Sequence, residues 1–386
     1  MKKTDANPQF LQSPAGPLRM QRPGARGENL RAWDAADELL LEMAAARLTP
    51  GQRVAVVDDQ FGALTLGLGK LAPVSVADSA TLAGALALNA PSGAESVSPY
   101  SWLNAPTAGE QPFDAIVLRI PRQLDYLAWL LRWVNRVLKP DGLLLAGGMI
   151  KHLPDRSAAV FGQLVQTDEV SPARKKARMI VCRPGTEETG AADWKGYRLA
   201  DFDLAVDALP AVFSRESLDI GTRLLLPEVA RAVAALDERA RVLDLACGNG
   251  VLGLTALAAG FGGEVLFTDV SSQAVASARH NVEGQFAGGK ARFCHSDGIP
   301  GDAGQFELIL LNPPFHEGGV VGDHIALRLF AEASRHLAPG GRMLMVGNRH
   351  LGYHRSLRRY FGQVRQLAAD PKFVVFEVAN QPAGRS

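Results

Sequence analysis

From Arg241 onward, short apolar and β-branched runs alternate with stretches whose apolar positions recur every three or four residues. The first pattern suits strands buried on both faces and the second suits helices laid against them. Strands are predicted over 241–246, 264–270, 291–297, 306–311, 342–347 and 372–379, with helices over 251–259, 271–282, 323–337 and 353–361. Strands separated by helical segments fold as a parallel, doubly wound sheet.

The first half of the chain repeats this order of events. Arg53-Val-Ala-Val-Val-Asp-Asp-Gln-Phe-Gly62 lies over Arg241-Val-Leu-Asp-Leu-Ala-Cys-Gly-Asn-Gly250, and Asp78 lies over Asp269. Further on, Phe113-Asp-Ala-Ile-Val-Leu118 lies over Phe306-Glu-Leu-Ile-Leu-Leu311, and Leu138-Lys-Pro-Asp-Gly142 over Leu337-Ala-Pro-Gly-Gly341. The offset rises from 188 residues at Gly62 and Gly250 to 199 at Leu138 and Leu337, the drift that loop insertions leave in a duplicated domain. Two tandem α/β domains follow: a flexible start over 1–25, a first copy over 26–185 and a second over 186–386. Periodicity weakens over about 170–200, the expected linker. It holds the basic run Arg174-Lys-Lys-Ala-Arg178, read either as a solvated face or as a phosphate-contacting patch.

Composition narrows the class without adding chemistry. The 386 residues are 47% hydrophobic and 21% charged, values of an ordinary globular protein. A formal charge of +1 favours no partner as a global number, so contact with nucleic acid must come from local patches. The three cysteines, Cys182, Cys247 and Cys294, have neither disulfide-framework nor zinc-site spacing, so no metal is expected. A polar, Pro- and Gly-containing beginning without an apolar core region, and no apolar stretch of 18 residues, point to a cytoplasmic protein that does not engage membrane.

The chemistry gathers in the second half. At 242–253 a strand runs into a glycine-containing turn and then a helix, where glycines let backbone pass close to a ligand. No Gly-Lys-Ser/Thr follows, and the G-x-G-x-x-G order is absent, which excludes a P-loop and a dinucleotide fingerprint. Asp244 lies in the first strand, Asp269 ends the second and Asp297 the third. Acids at the carboxyl ends of consecutive parallel strands line the crevice where open α/β sheets bind ligands, and a carboxylate like Asp269 can accept both hydroxyls of a ribose.

The fourth strand ends in Asn312-Pro-Pro-Phe315, the most specific local signal in the chain. The prolines end the ladder and stiffen the backbone. An exocyclic amino group on a purine is a poor nucleophile, because its lone pair is delocalised into the ring. The Asn312 side-chain oxygen and the Pro313 carbonyl can accept its two N–H groups, localise the lone pair and aim it at an electrophile. No prior deprotonation is needed, since the proton leaves readily from the cationic product. Phe315, behind Pro314, offers a ring on which an extruded base can stack.

This combination resembles the class I amino methyltransferases. The segment Phe213-Ser-Arg-Glu-Ser-Leu-Asp-Ile-Gly-Thr-Arg-Leu-Leu-Leu-Pro227 narrows the resemblance to the duplicated ribosomal RNA guanine-N2 methyltransferases. That family has members acting on the small and on the large subunit. Leu30-Arg-Ala-Trp-Asp-Ala-Ala-Asp-Glu38 and Gly347-Asn-Arg-His-Leu351 look like the large-subunit enzyme. The resemblance implies two Rossmann-like class I methyltransferase domains with mostly parallel seven-stranded sheets, the first degenerate. It implies S-adenosyl-L-methionine as cofactor and one guanine of protein-free or partly assembled 23S rRNA as substrate, acted on by a monomer. Carried onto this chain, it has Asp244, Cys247, Gly248, Asn249 and Gly250 on the methionine portion, Asp269 on the ribose and Asp297 on the adenine. Asn312, Pro313, Pro314 and Phe315 then hold the guanine, with Asn312 also bordering the cofactor and with His316 and Arg349 at the entrance. Cys247 is read as a small packed residue rather than a catalytic thiol.

Under the repeat, Val56 replaces Asp244, Gln60 replaces Gly248, and Arg119-Ile-Pro-Arg122 replaces Asn312-Pro-Pro-Phe315. The first copy is therefore expected to bind no cofactor and to hold RNA or steady the second copy, with Arg119 and Arg122 on phosphates. Other readings of the motifs are a 16S rRNA guanine-N2 methyltransferase, a DNA adenine-N6 methyltransferase, a protein-glutamine methyltransferase and a non-catalytic RNA-binding scaffold. The glutamine enzymes carry Tyr at the last motif position and lack a twin domain. A scaffold does not explain an intact turn beside an intact acceptor motif.

Overall fold

A computed structural model describes residues 10–23, 31–93, 95–107, 111–153, 156–186, 193–314 and 324–380. The chain divides into two units, Met1–Asp193 and Trp194–Ser386.

The second unit is built on seven strands: β1 (Arg241–Leu245), β2 (Glu264–Asp269), β3 (Ala291–His295), β4 (Phe306–Leu311), β5 (Leu337–Asn348), β6 (Gln363–Ala369) and β7 (Phe373–Ala379). They lie in the order β3-β2-β1-β4-β5-β7-β6, and β7 alone runs against the rest. The chain moves outward from β1 to β3 and then returns to the other side of β1 as β4. This reversal opens a crevice at the carboxyl ends of β1 and β4. The interior strands read almost without polar residues because helices cover both faces. Alternation along each strand sends Val242, Leu308, Leu310, Leu344 and Val346 into one core and Leu243, Ile309, Leu311, Met343 and Met345 into the other.

Among the described residues, the main sheet of the first unit has six strands rather than the expected seven, and a separate hairpin pairs Phe10–Ser13 with Gly16–Arg19. Val74–Val76, Val54–Val57, Phe113–Arg119, Leu138–Met149, Ala177–Pro184 and Val165–Val170 lie side by side in that order. Only a single parallel bridge, Val76 to Tyr100, stands where the outermost strand of the second unit lies. The repeat is visible in backbone angles. Asp58 (φ 56°) and Gly62 (φ 88°) match Ala246 (φ 56°) and Gly250 (φ 83°), all left-handed.

The structure corrects the outline of several elements. The strand Ala177–Pro184 extends the first sheet through the segment expected to be a linker, and its buried Met179, Ile180, Val181 and Cys182 show why. The strand expected at 291–297 ends at His295, and the helix expected at 353–361 covers Tyr353–Leu357. The helix Ile220–Val233, the hairpin Lys195–Leu199 with Leu204–Ala208, and β6 belong to the second unit and were not among the expected elements. Among the described residues, no helix is long and apolar enough to cross a membrane.

Candidate functional site

The site begins at the β1 turn. Asp244 is fully buried and its Oδ2 accepts the Gly253 N–H at 2.9 Å, tying the strand to the start of helix Val251–Ala258. Its other oxygen, Oδ1, is buried without a hydrogen-bond partner. Burial pushes its carboxyl up to about 8, with the nearby Asp269 charge adding to the shift. A buried acceptor of this kind is costly until something donates to it.

The turn itself is held from outside. Gly248 (φ 56°) donates its N–H to Asp269 Oδ2 at 2.9 Å, and a Cβ added there would meet nothing within 4 Å, so the turn faces open space. Gly250 (φ 83°) is the opposite case. A Cβ there would stand 2.9 Å from the Ala278 Cβ, so glycine is required both by angle and by closeness. Asn249 is buried, its Nδ2 donating to the Tyr197 hydroxyl and the Ser214 carbonyl, while Asn281 Nδ2 donates to the Asn249 carbonyl at 3.0 Å and to that of Asp207 at 2.7 Å. Asn281 thus pins hairpin and turn together, a role its position in a helix gave no hint of. Cys247 is buried, and burial pushes its thiol well above the usual range, which keeps it protonated and unreactive.

Asp269 ends β2 and accepts the Ser271 N–H at 2.8 Å through its second oxygen. Asp297 lies two residues past the end of β3, exposed, and is ion-paired with Arg328 of helix His324–His336.

Asn312 follows β4 directly. Its Nδ2 donates to Thr222 Oγ1 at 2.8 Å and lies 3.5 Å from Asp219 Oδ2, while its Oδ1 is buried with no partner. A flipped amide would turn its oxygen towards the Asp219 carboxylate, so the assignment is fixed by chemistry. Asp219 also caps helix Ile220–Val233 by accepting the Thr222 N–H at 2.8 Å. The cap that starts the helix is therefore also the clamp that holds the Asn312 amide nitrogen and turns its oxygen away from Asp219 and Thr222. Asp219 and Thr222 are legible in the sequence only as part of a family-like segment; the signal that could have found them is an Asp three residues before a Thr at the start of an apolar helical pattern.

Pairing registers place these groups. Leu245 of β1 stands opposite Thr268 of β2 and Leu311 of β4, so Asp269 and Asn312 each lie one residue beyond, at the same height on either side of β1. Two strand spacings separate them by about 10 Å. Pro313 is buried and Pro314 exposed; Phe315 and His316, expected to stack and to flank, lie outside the described residues. Arg349 follows β5, its Nη2 donating to the Asp370 carbonyl at 2.6 Å.

The first unit shows what occupies such a turn when it is not kept open. Asp59 Oδ2 accepts the Thr65 N–H at 2.8 Å, the task Asp244 performs for Gly253, and Val56 is buried in place of Asp244. Tyr126 donates to Asp58 Oδ1 at 3.3 Å and accepts from Trp102 Nε1 at 2.7 Å, so side chains fill the ends of the strands. Arg119 is not a free cation. Its guanidinium bonds both Asp34 oxygens at 2.9 Å and lies 3.3 Å from Asp37. Asp37 is carried up to about 7 by burial. Arg122, by contrast, is exposed at the same end of the sheet, 3.2 Å from His152. In the basic run, Arg174 pairs with Glu42 and Lys175 with Glu38, both exposed, so these contacts are weak and exchangeable.

Comparison with known proteins places this geometry in context. Residues 203–377 match the methyltransferase small domain, and residues 8–186 match the RLMG N-terminal domain. The ribosomal RNA large subunit methyltransferase G of Alcanivorax borkumensis is 39% identical, covering 94% of this chain and 95% of the relative. The protein of the same name from Pseudomonas aeruginosa is 38% identical, covering 93% and 96%. Among solved structures, the T. thermophilus 16S rRNA N2 G1207 methyltransferase in complex with AdoMet and guanosine superposes with a TM-score of 0.74. At 24% identity over 97% of this chain and 98% of that one, it shows the fold shared by both units. By its relatives over nearly the full length and by both domain matches, the chain belongs to the ribosomal RNA large subunit methyltransferase G family.

Proposed function

We propose that this chain transfers a methyl group from S-adenosyl-L-methionine to the exocyclic N2 of one guanine in 23S rRNA. The observation that carries the reading is the unpartnered Asn312 Oδ1, aimed by Thr222 and Asp219 and standing level with Asp269 across β1. When bound, the cofactor supplies a methyl on a positively charged sulfur. The residues fit it. Asp244 Oδ1 is a buried acceptor in want of the ammonium that its methionine portion carries, and Gly248 leaves room beside it. Asp269 offers a carboxylate already oriented by two backbone N–H groups to a ribose, and Asp297 marks the adenine side. Asn312 Oδ1 and the Pro313 carbonyl accept the amino protons of guanine and point its lone pair into the crevice. Asp244, buried beneath the turn, stays out of proton transfer from the base.

The first unit contributes RNA grip rather than chemistry. Its turn is occupied by Asp59, Asp58, Tyr126 and Trp102, which supports a unit that takes no nucleoside. Arg122 and the run over 174–178 supply phosphate contacts, with Arg119 serving the Asp34 and Asp37 carboxylates instead. An Arg122→Gln variant is expected to raise the KM for RNA and to lower the slope of log affinity against log salt by about 1. An unchanged slope in filter binding removes Arg122 from the contact set. The protein works as a monomer in the cytoplasm, on protein-free or partly assembled rRNA.

Titration of Asp244 gives a second check. Its folded carboxyl lies near 8 against an ordinary 3.8. The free protein therefore keeps this group's stability below 3.8, loses it steadily as pH rises towards about 8, and loses no more above. Pairing with an ammonium requires the ionised form, so binding of S-adenosylhomocysteine is expected to tighten from pH 6 to 8 with uptake of the ligand releasing a proton. Calorimetry in buffers of different ionisation heat measures that proton. Asp244→Asn should bind weakly with no such dependence, and a pH-independent wild type contradicts the assignment.

The reaction itself is tested by incubating the chain with methyl-labelled cofactor and protein-free 23S or 16S rRNA, followed by nucleoside analysis. Label recovered as N2-methylguanosine from 23S alone supports the reading. Label on 16S, label on adenosine, or cofactor bound without transfer each overturns it.

A further inference from the structure

The acceptor pair on Asn312 and Pro313 explains how an amino group is held but not why guanine is chosen over another purine with an amino group at the same position. The register beyond β4 supplies a candidate. Leu311, the last residue of β4, stands opposite Met345 of β5, and continuing that register puts Asn348 level with Pro314. Alternation gives Leu344 and Val346 to the core that also holds Leu308 and Leu310, which puts Asn348 and Asn312 on the same face. The two are one strand and two residues apart, about 8 Å between α-carbons.

Two further observations tie Asn348 to the site, and a third shows space beside it. Its cross-strand partner is Phe373 of β7, and a Cβ added to Gly221 would stand 2.8 Å from the Phe373 Cδ1. The helix end that clamps Asn312 through Thr222 therefore rests on the residue paired with Asn348. Asn348 Oδ1 is buried and has no hydrogen-bond partner, as is Asn312 Oδ1. Asn348 also lines a groove of about 310 Å³ with Arg349, His350, Pro371 and Lys372, within the size range of small-ligand sites.

We infer that Asn348 is a specificity-determining residue that reads the N1–H edge of the guanine. Guanine presents N1–H beside its N2 amino group, with O6 on the far side of N1. An amide whose oxygen takes the N1 proton can give its own N–H to O6, while Asn312 takes a proton of N2. A purine whose N1 is an acceptor, and which lacks O6, leaves the buried Asn348 Oδ1 without a donor and gives its amide N–H no oxygen to meet. Sites built to hydrogen-bond a group reject the analogue lacking it far more strongly than apolar pockets discriminate. Arg349 and Lys372 at the rim of the groove are placed for the flanking phosphates.

This inference rests on the guanine-N2 reading above, and 2-aminopurine separates the two. It carries the same exocyclic amino group but has an acceptor at N1 and no oxygen at position 6. With the wild-type chain and a short RNA bearing guanine or 2-aminopurine at the mapped site, kcat/KM for guanine is expected to exceed that for 2-aminopurine by about 10²-fold or more. In Asn348→Ala, guanine methylation falls towards the 2-aminopurine rate, which itself changes little, so the ratio collapses. Calorimetry with S-adenosylhomocysteine reports that the variant is folded and loaded as before. If Asn348→Ala keeps the wild-type ratio, whether both rates fall together or neither does, Asn348 does not read N1. A wild-type chain that methylates neither RNA counts against the reaction itself, because Asn348 then has no preference to express.

Discussion

An Asn312→Ala variant is expected to lose about 10²–10³-fold in kcat while its affinity for S-adenosylhomocysteine stays within about twofold of wild type. The magnitude follows from what the side chain does. Its Nδ2 is spent on Thr222 and Asp219, so the amide is fixed before any substrate arrives, and in the proposed reaction its unpartnered Oδ1 accepts an N–H that becomes more acidic as the nitrogen gives up its lone pair. That hydrogen bond strengthens in the transition state, so its loss appears in kcat rather than in substrate binding. Thr222→Val should show a smaller loss of the same kind, and Thr222→Ser should restore most of it, because the serine hydroxyl can still accept from Asn312 while the backbone cap on Asp219 is untouched. Single-turnover methylation with bound cofactor measures both. If Asn312→Ala weakens cofactor binding as much as turnover, Asn312 belongs to the cofactor side.

Asp269→Ala should give the opposite signature. Removing two charge-assisted hydrogen bonds to a ribose, about 1.5–3 kcal/mol each, raises the Kd for S-adenosylhomocysteine by about 10²–10⁴-fold. The same carboxylate holds the N–H groups of Gly248 and Ser271, so the turn loosens as well and the effect lies towards the upper end. At saturating cofactor, kcat is expected to remain within about tenfold of wild type, since no Asp269 atom touches the base. A wild-type affinity in calorimetry would place the ribose elsewhere.

Much of this arrangement can be read from residue order because strand tips are fixed by short, strongly apolar runs. Leu266 to Asp269 and Phe306 to Leu311 each end where a polar residue meets the crevice, and the parallel register sets them on either side of Val242 to Leu245. The Asn312-Pro-Pro run is legible for a related reason, as two prolines end the ladder of the apolar strand before them. What escaped is what depends on side chains meeting across the fold. Asp219 and Thr222 stand inside a family-like segment with no helix expected there, and nothing local says that their carboxylate and hydroxyl face Asn312 some 90 positions away. Arg119 reads as a free cation at the relic of a site, yet Asp34 and Asp37, far upstream, enclose it. Removing its charge would strand buried carboxylates rather than report on RNA. Asn348 is similar: only the pairing of β5 with both β4 and β7 sets it level with Pro314 and opposite Phe373. The strand Ala177–Pro184 was missed because the exposed basic turn before it masks an apolar run of only four residues.

The reaction geometry stands or falls on where the guanine amino group lies when the cofactor product is in place. A crystal structure of the chain with S-adenosylhomocysteine and guanosine measures it directly. The expected result has the ribose of the cofactor product on Asp269 and the guanine N2 within about 3 Å of Asn312 Oδ1, its lone pair facing the sulfur. A guanine bound with N2 turned away from Asn312, or a cofactor held without Asp269, would contradict the account.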